Sequence, residues 1–597
     1  MSAESERRRA VPWLVVLTVL ALLVRLVGID FGVPVWEEPD PDIPIHVDTL
    51  RHDTVRANRE FSERQYPHLI ADLVSLLPPR PAPDEPGAPA TVSEHLVNAA
   101  HSHVQSRIVV ALLSVLLVPL TFLLASRFLR PWPSWFAAAL VATSLLHVHF
   151  AQQARPHGAA ATFFLAAVLC AMGLVRRADT RAYLACGISA GLAVGVLHSG
   201  VAVVIPLIVG YLLRRGFARS RPDLRLLLPL LLVALSIRVF YPFLFDGSEA
   251  LRPAAQNSAE PVLDSGTIVW AEHSVSLSQF AGGGFRVILL SLWNYDPVLL
   301  VAAALGAAGW LIAHRRGRRE GWHGPQDDLR RREFITALSF ALPYLLVIGL
   351  FEKTYERFVI PLLPYLACAA AWGLVAAARR LHLGRNARVC GAALVLVLPT
   401  AVAVKLVWLR HQPDTLDQVA NWIEANVEPA PDGSPVWLEA PLDVPLLRTD
   451  ASWSPPDHRR RALYTPWAMY QVRAVAPELG PRWDLRWMGP AWTPGAINPS
   501  RDPGAFIDAL RPGVFVIEVF ERRTDHELNV RLRQAFLARG RPLARFSPEG
   551  RGNDEHPFFY QLSDHFNDDE RTPVPHFVAR MLRARSIGPT LEIYRLD

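Results

Sequence analysis

Apolar runs near the ~20 residues a helix needs to cross a bilayer recur along this chain. They fall at residues 11–29, 108–126, 133–150, 158–175, 183–197, 199–213, 226–245, 296–313, 334–351, 358–378 and 389–409. A soluble core has no use for about eleven such runs, and a chain that is 51% hydrophobic and 19% charged is too apolar for a string of soluble domains. The pattern predicts a multi-pass α-helical membrane protein. The fifth and sixth runs are short and broken only by His198-Ser199, so a single tilted helix is the alternative there. The first run follows SERRR in the order of a signal peptide but lacks a small-x-small cleavage site, and reads as a retained span.

Arginine sets the orientation. Arginine is concentrated in SERRR, SRFLR, RRADTR, RRGFARSRPDLR, RRGRREGWHGPQDDLRRR and ARRLHLGRNAR, which alternate along the chain with segments poorer in basic residues. Positive loops stay in the cytoplasm. The alternation predicts a cytoplasmic N-terminus and places residues 30–106, the connection at 151–157, residues 246–285, the turn EKTYE and everything after about 410 outside. Merging the fifth and sixth runs would break that alternation. Basic groups clustered between spans do not make a soluble face for nucleic acid. Cys170, Cys186, Cys368 and Cys390 lie in apolar runs with no CxxC pair, which argues against disulfides and structural zinc.

Residues 30–106 are too long for a simple connection. Within them EFSERQYPHLIADLVSLLPP places Leu69, Ile70, Leu73, Leu76 and Leu77 at helical spacing, which predicts an amphipathic helix on the membrane surface, followed by the Pro-rich linker PPRPAPDEPGAPA. After the last span TLDQVANWIEANV reads as a helix with a Thr415-x-x-Gln418 capping box. SPVWLEA, GVFVIEVF and TLEIYRL read as strands, and HELNVRLRQAFLARG as a helix ended by Gly540. Residues 1–409 are thus expected to form a transmembrane domain and 410–597 a soluble α/β domain outside the membrane.

Three stretches can carry chemistry. WEEPDPDIPIHVD, residues 36–48, holds five carboxylates, and Pro39, Pro41 and Pro44 stiffen it. It can supply a general base or a metal ligand, or be a solvated acidic loop. HVHFAQQARPH, residues 147–157, carries Arg155, a cation in a very short connection, which either pairs, binds an anion or snorkels. His157 is an acid or base candidate or an ordinary loop histidine. EKTYERFVIPLLP, residues 352–364, sets Lys353 and Arg357 on the side from which the charge rule removes cations, where they can hold a phosphate. Arg238, near the outer end of its run, is a further candidate, with snorkelling as the plain explanation.

In this order the pieces resemble the bacterial GT-C membrane glycosyltransferases of glycosyltransferase family 39, the protein O-mannosyltransferase and aminoarabinose transferase type. The stretches that carry the resemblance are PDIPIHVDTLR, QYPHLIADL, QARPH, ISAGLAVGVLHSG and ERFVIPLLPYLACAAA, followed by a tail with WIEANV early and GPTLEIYRL at its end. Each is weak alone; their order and sidedness carry the likeness over nearly the whole chain. The resemblance implies an inverting sugar transfer from a polyprenyl-phosphate donor to a glycan, lipid or protein acceptor at the outer face of the bacterial cytoplasmic membrane. It implies Asp42 as the base, because Val47 and Arg51 then fall at the family's offsets, with Asp40 second. The lipid phosphate it implies gives the basic candidates Arg155, Lys353, Arg357 and Arg238 a ligand, with His157 beside them, and Glu38 could supply the carboxylate missing at Ile43. Metal dependence stays open: Asp40, Asp42 and Asp48 could ligate a divalent cation but form no recognised spacing. Ile43 stands where the family has glutamate, His157 where it has aspartate, and His198-Ser199 replaces a Lys-Tyr pair. These departures leave a homologue that binds a glycan or lipid carrier without turnover as the alternative, while a transporter fits poorly with the large outer loop and the soluble tail.

Overall fold

The computed structural model describes residues 3–35, 42–52, 67–79, 89–214, 223–241, 267–270, 273–317, 325–440, 442–453, 465–474, 479–494, 496–499, 501–510, 512–519, 526–549 and 577–597. The chain opens with α1 (Ala3–Leu26), α2 (Asp42–His52) and α3 (Leu69–Ser75). It continues with α4 (Val92–Val115), α5 (Leu117–Ala125), α6 (Pro131–Ala142), α7 (Leu145–Ala151), α8 (His157–Arg176), α9 (Thr180–Val196), α10 (Val204–Leu212) and α11 (Leu227–Phe240). A hairpin of β1 (Thr267–Trp270) and β2 (His273–Ser276) precedes α12 (Gly283–Tyr295), α13 (Pro297–Gly317), α14 (Pro325–Leu350), α15 (Leu363–Arg380) and α16 (Arg385–Arg410).

Each of the eleven apolar runs contains a helix. Among the described residues, five stretches are long and apolar enough to cross a membrane: Val92–Ala125, His157–Arg176, Asp328–Leu350, Glu356–Arg380 and Arg385–Asn426. Counting the bent pairs α6–α7 (54°) and α12–α13 (119°) as one span each brings the number to seven. Ala10–Leu26, Thr180–Val196 and His198–Leu212 are shorter apolar helices.

Without water to expel, helices in lipid associate by close backbone approach. Gly187, Gly191 and Gly195, four residues apart, line the face of α9 that meets α11. A Cβ on them would stand 2.6 Å from Leu232 Cδ1, 2.2 Å from Ser236 Oγ and 2.5 Å from Phe240 Cδ2. The α13–α15 pair closes the same way, since a Cβ on Gly373 would lie 2.6 Å from the Gly306 Cα. At one end of the bundle the buried Glu333 accepts from Arg176 and lies 3.6 Å from Arg127, while Arg332 donates to the Leu213 carbonyl. The segments that sequence assigns to one side by their arginines therefore meet.

Of the expected apolar face of α3, Leu69 and Ile70 are buried and, with Val74, pack against α2 and α4, whereas Leu76, just past the helix end, is exposed. Arg51 fixes this packing by donating to the Val74 and Leu77 carbonyls at the end of α3 and to Gln105 of α4. Helix α12 was not expected, because its apolar stretch is shorter than a span. Val287, Ile288, Ser291, Leu292 and Tyr295 face the protein, and Phe285, Leu289 and Trp293 form an exposed apolar stripe.

After α16 come α17 (Thr415–Asn426), β3 (Val436–Leu438), α18 (Pro466–Ala474), β4 (Leu485–Trp487), α19 (Pro503–Ala509), β5 (Gly513–Glu518), α20 (His526–Arg539), β6 (Arg541–Phe546), α21 (Phe577–Arg583) and β7 (Leu591–Leu596). The α17 cap is Asp414 paired with Asp417, one residue ahead of the expected Thr415–Gln418 box, because Asp414 accepts from both the Leu416 and Asp417 amides. The five strands form one sheet in the order β4-β3-β5-β7-β6, with β3 parallel to β4 and β5 and β7 antiparallel to β5 and β6. Alternation splits its faces. Trp437, Phe515, Ile517 and Tyr594 pack with Phe506 and Phe536, while Val436, Val514, Val516 and Ile593 join the apolar core continuous with the helices.

Leucine at Gly187 or Gly373 is expected to force the paired helices apart and cost about 1–3 kcal/mol or more. The thermal midpoint of the purified protein should drop, whereas Gly391→Leu, with nothing within 4 Å of its Cβ, should leave it unchanged. A second expectation concerns acid. Arg533 forks Glu592 at 2.7 and 2.6 Å. Burial pushes the Glu592 carboxyl up, but the hydrogen bonds from Arg533 and Tyr594 and the charges of Arg533 and Arg545 outweigh it and hold the group below its ordinary value. Its contribution to stability is thus present above the usual glutamate pKa of about 4.3 and is lost as pH falls through the depressed value. Arg533→Gln should move the acid unfolding of the sheet, followed by tryptophan fluorescence, to higher pH.

Candidate functional site

Every residue from Ser144 to Thr162 is buried. The connection HVHFAQQARPH is therefore a covered turn between α7 and α8, set into the protein at the end of the bundle away from Glu333. It brings Arg155 (1% exposed) and His157 (4%) into the interior. Arg357 reaches the same place from the 3-10 turn Glu356–Leu362. Its guanidinium lies 4.1 Å from the Tyr355 ring and 5.4 Å from the Phe358 ring, and the His157 imidazole stacks on Phe358 at 5.7 Å. Arg357, Arg155 and His198 all stand close enough to His157 to act on its ring electrostatically. Three of the sequence candidates thus converge, joined by His198, the residue that replaces part of the family's Lys-Tyr pair.

The other candidates are placed differently. Lys353 is exposed in the turn that precedes Arg357, and Arg238 is exposed near the end of α11. Glu38 and Asp40 lie outside the described residues. Asp42 is the first residue of α2, and its side chain, like that of Asp48, is also outside the description. Ile43 is buried and lies one turn before the fully buried Val47, on the α2 face that packs against α3 and α4. This explains the apolar residue where an acid was expected. Among the described residues no group of three or more His, Cys, Asp or Glu could hold a metal ion.

The turn is held by groups that sequence reading did not single out. Arg25, fully buried in α1, donates to the Ala21 and Ala142 carbonyls and to His147 Nδ1 at 2.7 Å. Arg410, the last residue of α16, donates to Gln152 Oε1 at 2.6 Å and to His149 Nδ1 at 3.0 Å. Gln152 in turn donates to the Val24 and Val27 carbonyls of the first span. The other imidazole nitrogen, His149 Nε2, lies 3.0 Å from Gln153 Nε2. Arg107 donates to the Ile29 and Phe31 carbonyls, and the Phe31 ring lies between Arg107 (4.3 Å) and Arg410 (3.9 Å). From the C-terminal part, Phe577 packs at a tilt on Tyr295 at 4.8 Å and edges onto His149 at 6.2 Å. One signal for this lattice was available in the sequence: Arg25 interrupts an apolar run, and charges at such depth are placed for a reason.

Residues 95–245, the segment that contains the Arg155–His157 turn, match the family described as dolichyl-phosphate-mannose-protein mannosyltransferase. Among solved structures the chain is similar to the Archaeoglobus fulgidus oligosaccharyltransferase in its apo form, with 12% identity and a TM-score of 0.45 over 91% of this chain and 74% of that one. It is also similar to ArnT from Cupriavidus metallidurans bound to undecaprenyl phosphate, with 14% identity and a TM-score of 0.41 over 87% and 94% of the two chains. A third is the Archaeoglobus fulgidus oligosaccharyltransferase AglB in complex with an inhibitory peptide and a dolichol-phosphate, with 12% identity and a TM-score of 0.37 over 94% and 75%. Such values establish no residue correspondence with these proteins. No curated protein matches the chain.

Arg410→Leu should leave Gln152 and His149 without their shared donor and cost about 2 kcal/mol or more, read as a lower thermal midpoint. Arg410→Lys should recover little, since one ammonium cannot span both acceptors as a planar fork does.

Proposed function

We propose that this protein is a membrane glycosyltransferase that moves a sugar from a polyprenyl-phosphate donor to an acceptor at the outer face of the bacterial cytoplasmic membrane. The observation that carries the reading is that Arg155, from the α7–α8 turn, and Arg357, from the Glu356–Leu362 turn, meet at His157: Arg155 stands two residues before it, and the Phe358 ring stacked on its imidazole lies 5.4 Å from the Arg357 guanidinium. Two buried guanidiniums delivered by different elements suit an anion with several oxygens. Arg155 lies within the segment that matches a family named for a dolichyl-phosphate sugar, and Arg357 lies outside that segment. Arg155 and Arg357 bind the lipid phosphate, and His157 and His198 line the same place. The first-loop carboxylate Asp42, with Asp40 second, takes the proton from the acceptor hydroxyl or amine. The acceptor atom attacks the anomeric carbon from the face opposite the phosphate, and the bond to the phosphate oxygen breaks with its electron pair staying on the phosphate. The sugar configuration is inverted. Positive charge held where negative charge develops in the transition state lowers the barrier.

The sidedness follows from arginine: the end of the bundle with Arg127, Arg176 and Glu333 faces the cytoplasm, and the end with His157 faces out. Residues 1–409 form the membrane domain, and 410–597 an extracytoplasmic α/β domain on the acceptor side. Lys353, exposed beside Arg357, adds charge at the mouth.

The test uses purified protein, undecaprenyl phosphate for binding, and labelled polyprenyl-phosphate sugars with candidate acceptors for transfer. Arg357→Ala is expected to weaken undecaprenyl phosphate binding. Asp42→Asn is expected to bind normally and to lose on the order of 10²–10⁴ in transfer rate. Transfer by Asp42→Asn at the wild-type rate would remove Asp42 as base, and absence of wild-type binding would sink the lipid-phosphate reading.

A further inference from the structure

The α7 helix that leads into the Arg155–His157 turn is only seven residues long and bends 54° from α6. A helix so short has too few internal hydrogen bonds to hold itself, and its first amides need acceptors from elsewhere. Ser144 supplies one, its Oγ accepting from the His147 amide at 3.2 Å. The rest come from another helix pair. Asp296 stands at the 119° break between α12 and α13, 150 or more residues away in sequence. Its Oδ1 accepts from the Leu145 amide at 2.9 Å, and its Oδ2 accepts from the Leu146 amide at 3.3 Å and from the Ser144 hydroxyl at 2.7 Å. The carboxylate therefore caps α7 in trans and also orients the hydroxyl that caps the third amide. A negative group at this end complements the helix dipole.

We propose that Asp296 is a positioning residue for the anion site: by capping α7 from the neighbouring helix pair it fixes the turn that presents Arg155 and His157. The two residues before it tie the same bend to the C-terminal part. Asn294 Oδ1 accepts from the Phe577 amide at 3.0 Å, and the Tyr295 ring packs on both His149 (5.6 Å) and Phe577 (4.8 Å). The other end of α12 reaches the turn before Arg357, where a Cβ on Gly284 would stand 2.0 Å from the Ile348 carbonyl and 3.0 Å from Thr354 Oγ1. One helix thus sets the distance between the two turns that deliver the guanidiniums.

The proposal rests on the lipid-phosphate reading for its ligand, and the test separates the two. The full chain in lipid nanodiscs is compared as wild type, Asp296→Ala, Asp296→Asn and Arg155→Ala, with hydrogen exchange measured over residues 144–157 and affinity measured for undecaprenyl phosphate. Asp296→Ala should speed exchange in this segment and weaken binding about tenfold or more, a loss of the order of one charged hydrogen-bond acceptor. Asp296→Asn keeps one acceptor oxygen and should fall between it and wild type. Arg155→Ala should weaken binding with exchange unchanged, which is how direct contact differs from positioning. Unchanged exchange in both Asp296 variants overturns the proposal, as does wild-type affinity in Asp296→Ala. If the wild type fails to bind undecaprenyl phosphate the lipid reading falls, and the exchange comparison still judges Asp296.

Discussion

The structure depends on satisfying buried arginines at one end of a helical bundle. A guanidinium cannot shed its charge in a protein, and taking it out of water costs several kcal/mol unless its donors are bonded. Here the acceptors are backbone carbonyls, an amide and imidazoles: Ala21, Ala142 and His147 for Arg25, Ile29 and Phe31 for Arg107, Gln152 and His149 for Arg410. Those acceptors lie on the first span and the turn that ends it, the end of α6, α7 and the turn after α7. Each arginine therefore joins elements far apart in sequence, and the Phe31 ring between two guanidiniums joins them again.

This lattice shapes the candidate site. A turn of a few residues carrying Arg155 and His157 would ordinarily be mobile, as connections on a protein surface are. Here it is buried, roofed by Phe358 and held from below by the histidines that Arg25 and Arg410 engage. Basic groups fixed before a ligand arrives need no reorganisation to receive a phosphate, and preorganised charge is what stabilises a developing anion. The C-terminal part enters the same arrangement through Arg410 at its root and Phe577 on its far strap.

The helical class was legible in the sequence because the bilayer imposes a length on apolar runs, and each run contains a helix. The strands GVFVIEVF and TLEIYRL were equally plain, since a sheet buried on both faces needs a continuous apolar run. Helix α12 escaped, being apolar over too short a stretch to count as a span, and so did β4 and β6, which are short or flanked by charge. The surface helix was read correctly as apolar on one side, but its spacing does not say whether lipid or protein covers that side. Of the candidate site, Arg155, His157 and Arg357 were singled out by charge in a restricted place, while Asp296 was not, because a single acid between two apolar runs gives no hint of which helix end it caps.

The sequence by itself determined that the chain is a helical membrane protein, and it marked the basic residues of the site, because hydrophobic length and charge placement are properties of the one-dimensional chain. Only the tertiary structure decided that Arg155, Arg357 and His157 meet and that Asp296, Arg25 and Arg410 hold their turn. Those contacts join residues more than a hundred positions apart, and hydrogen bonding between them is fixed by packing that no local pattern encodes.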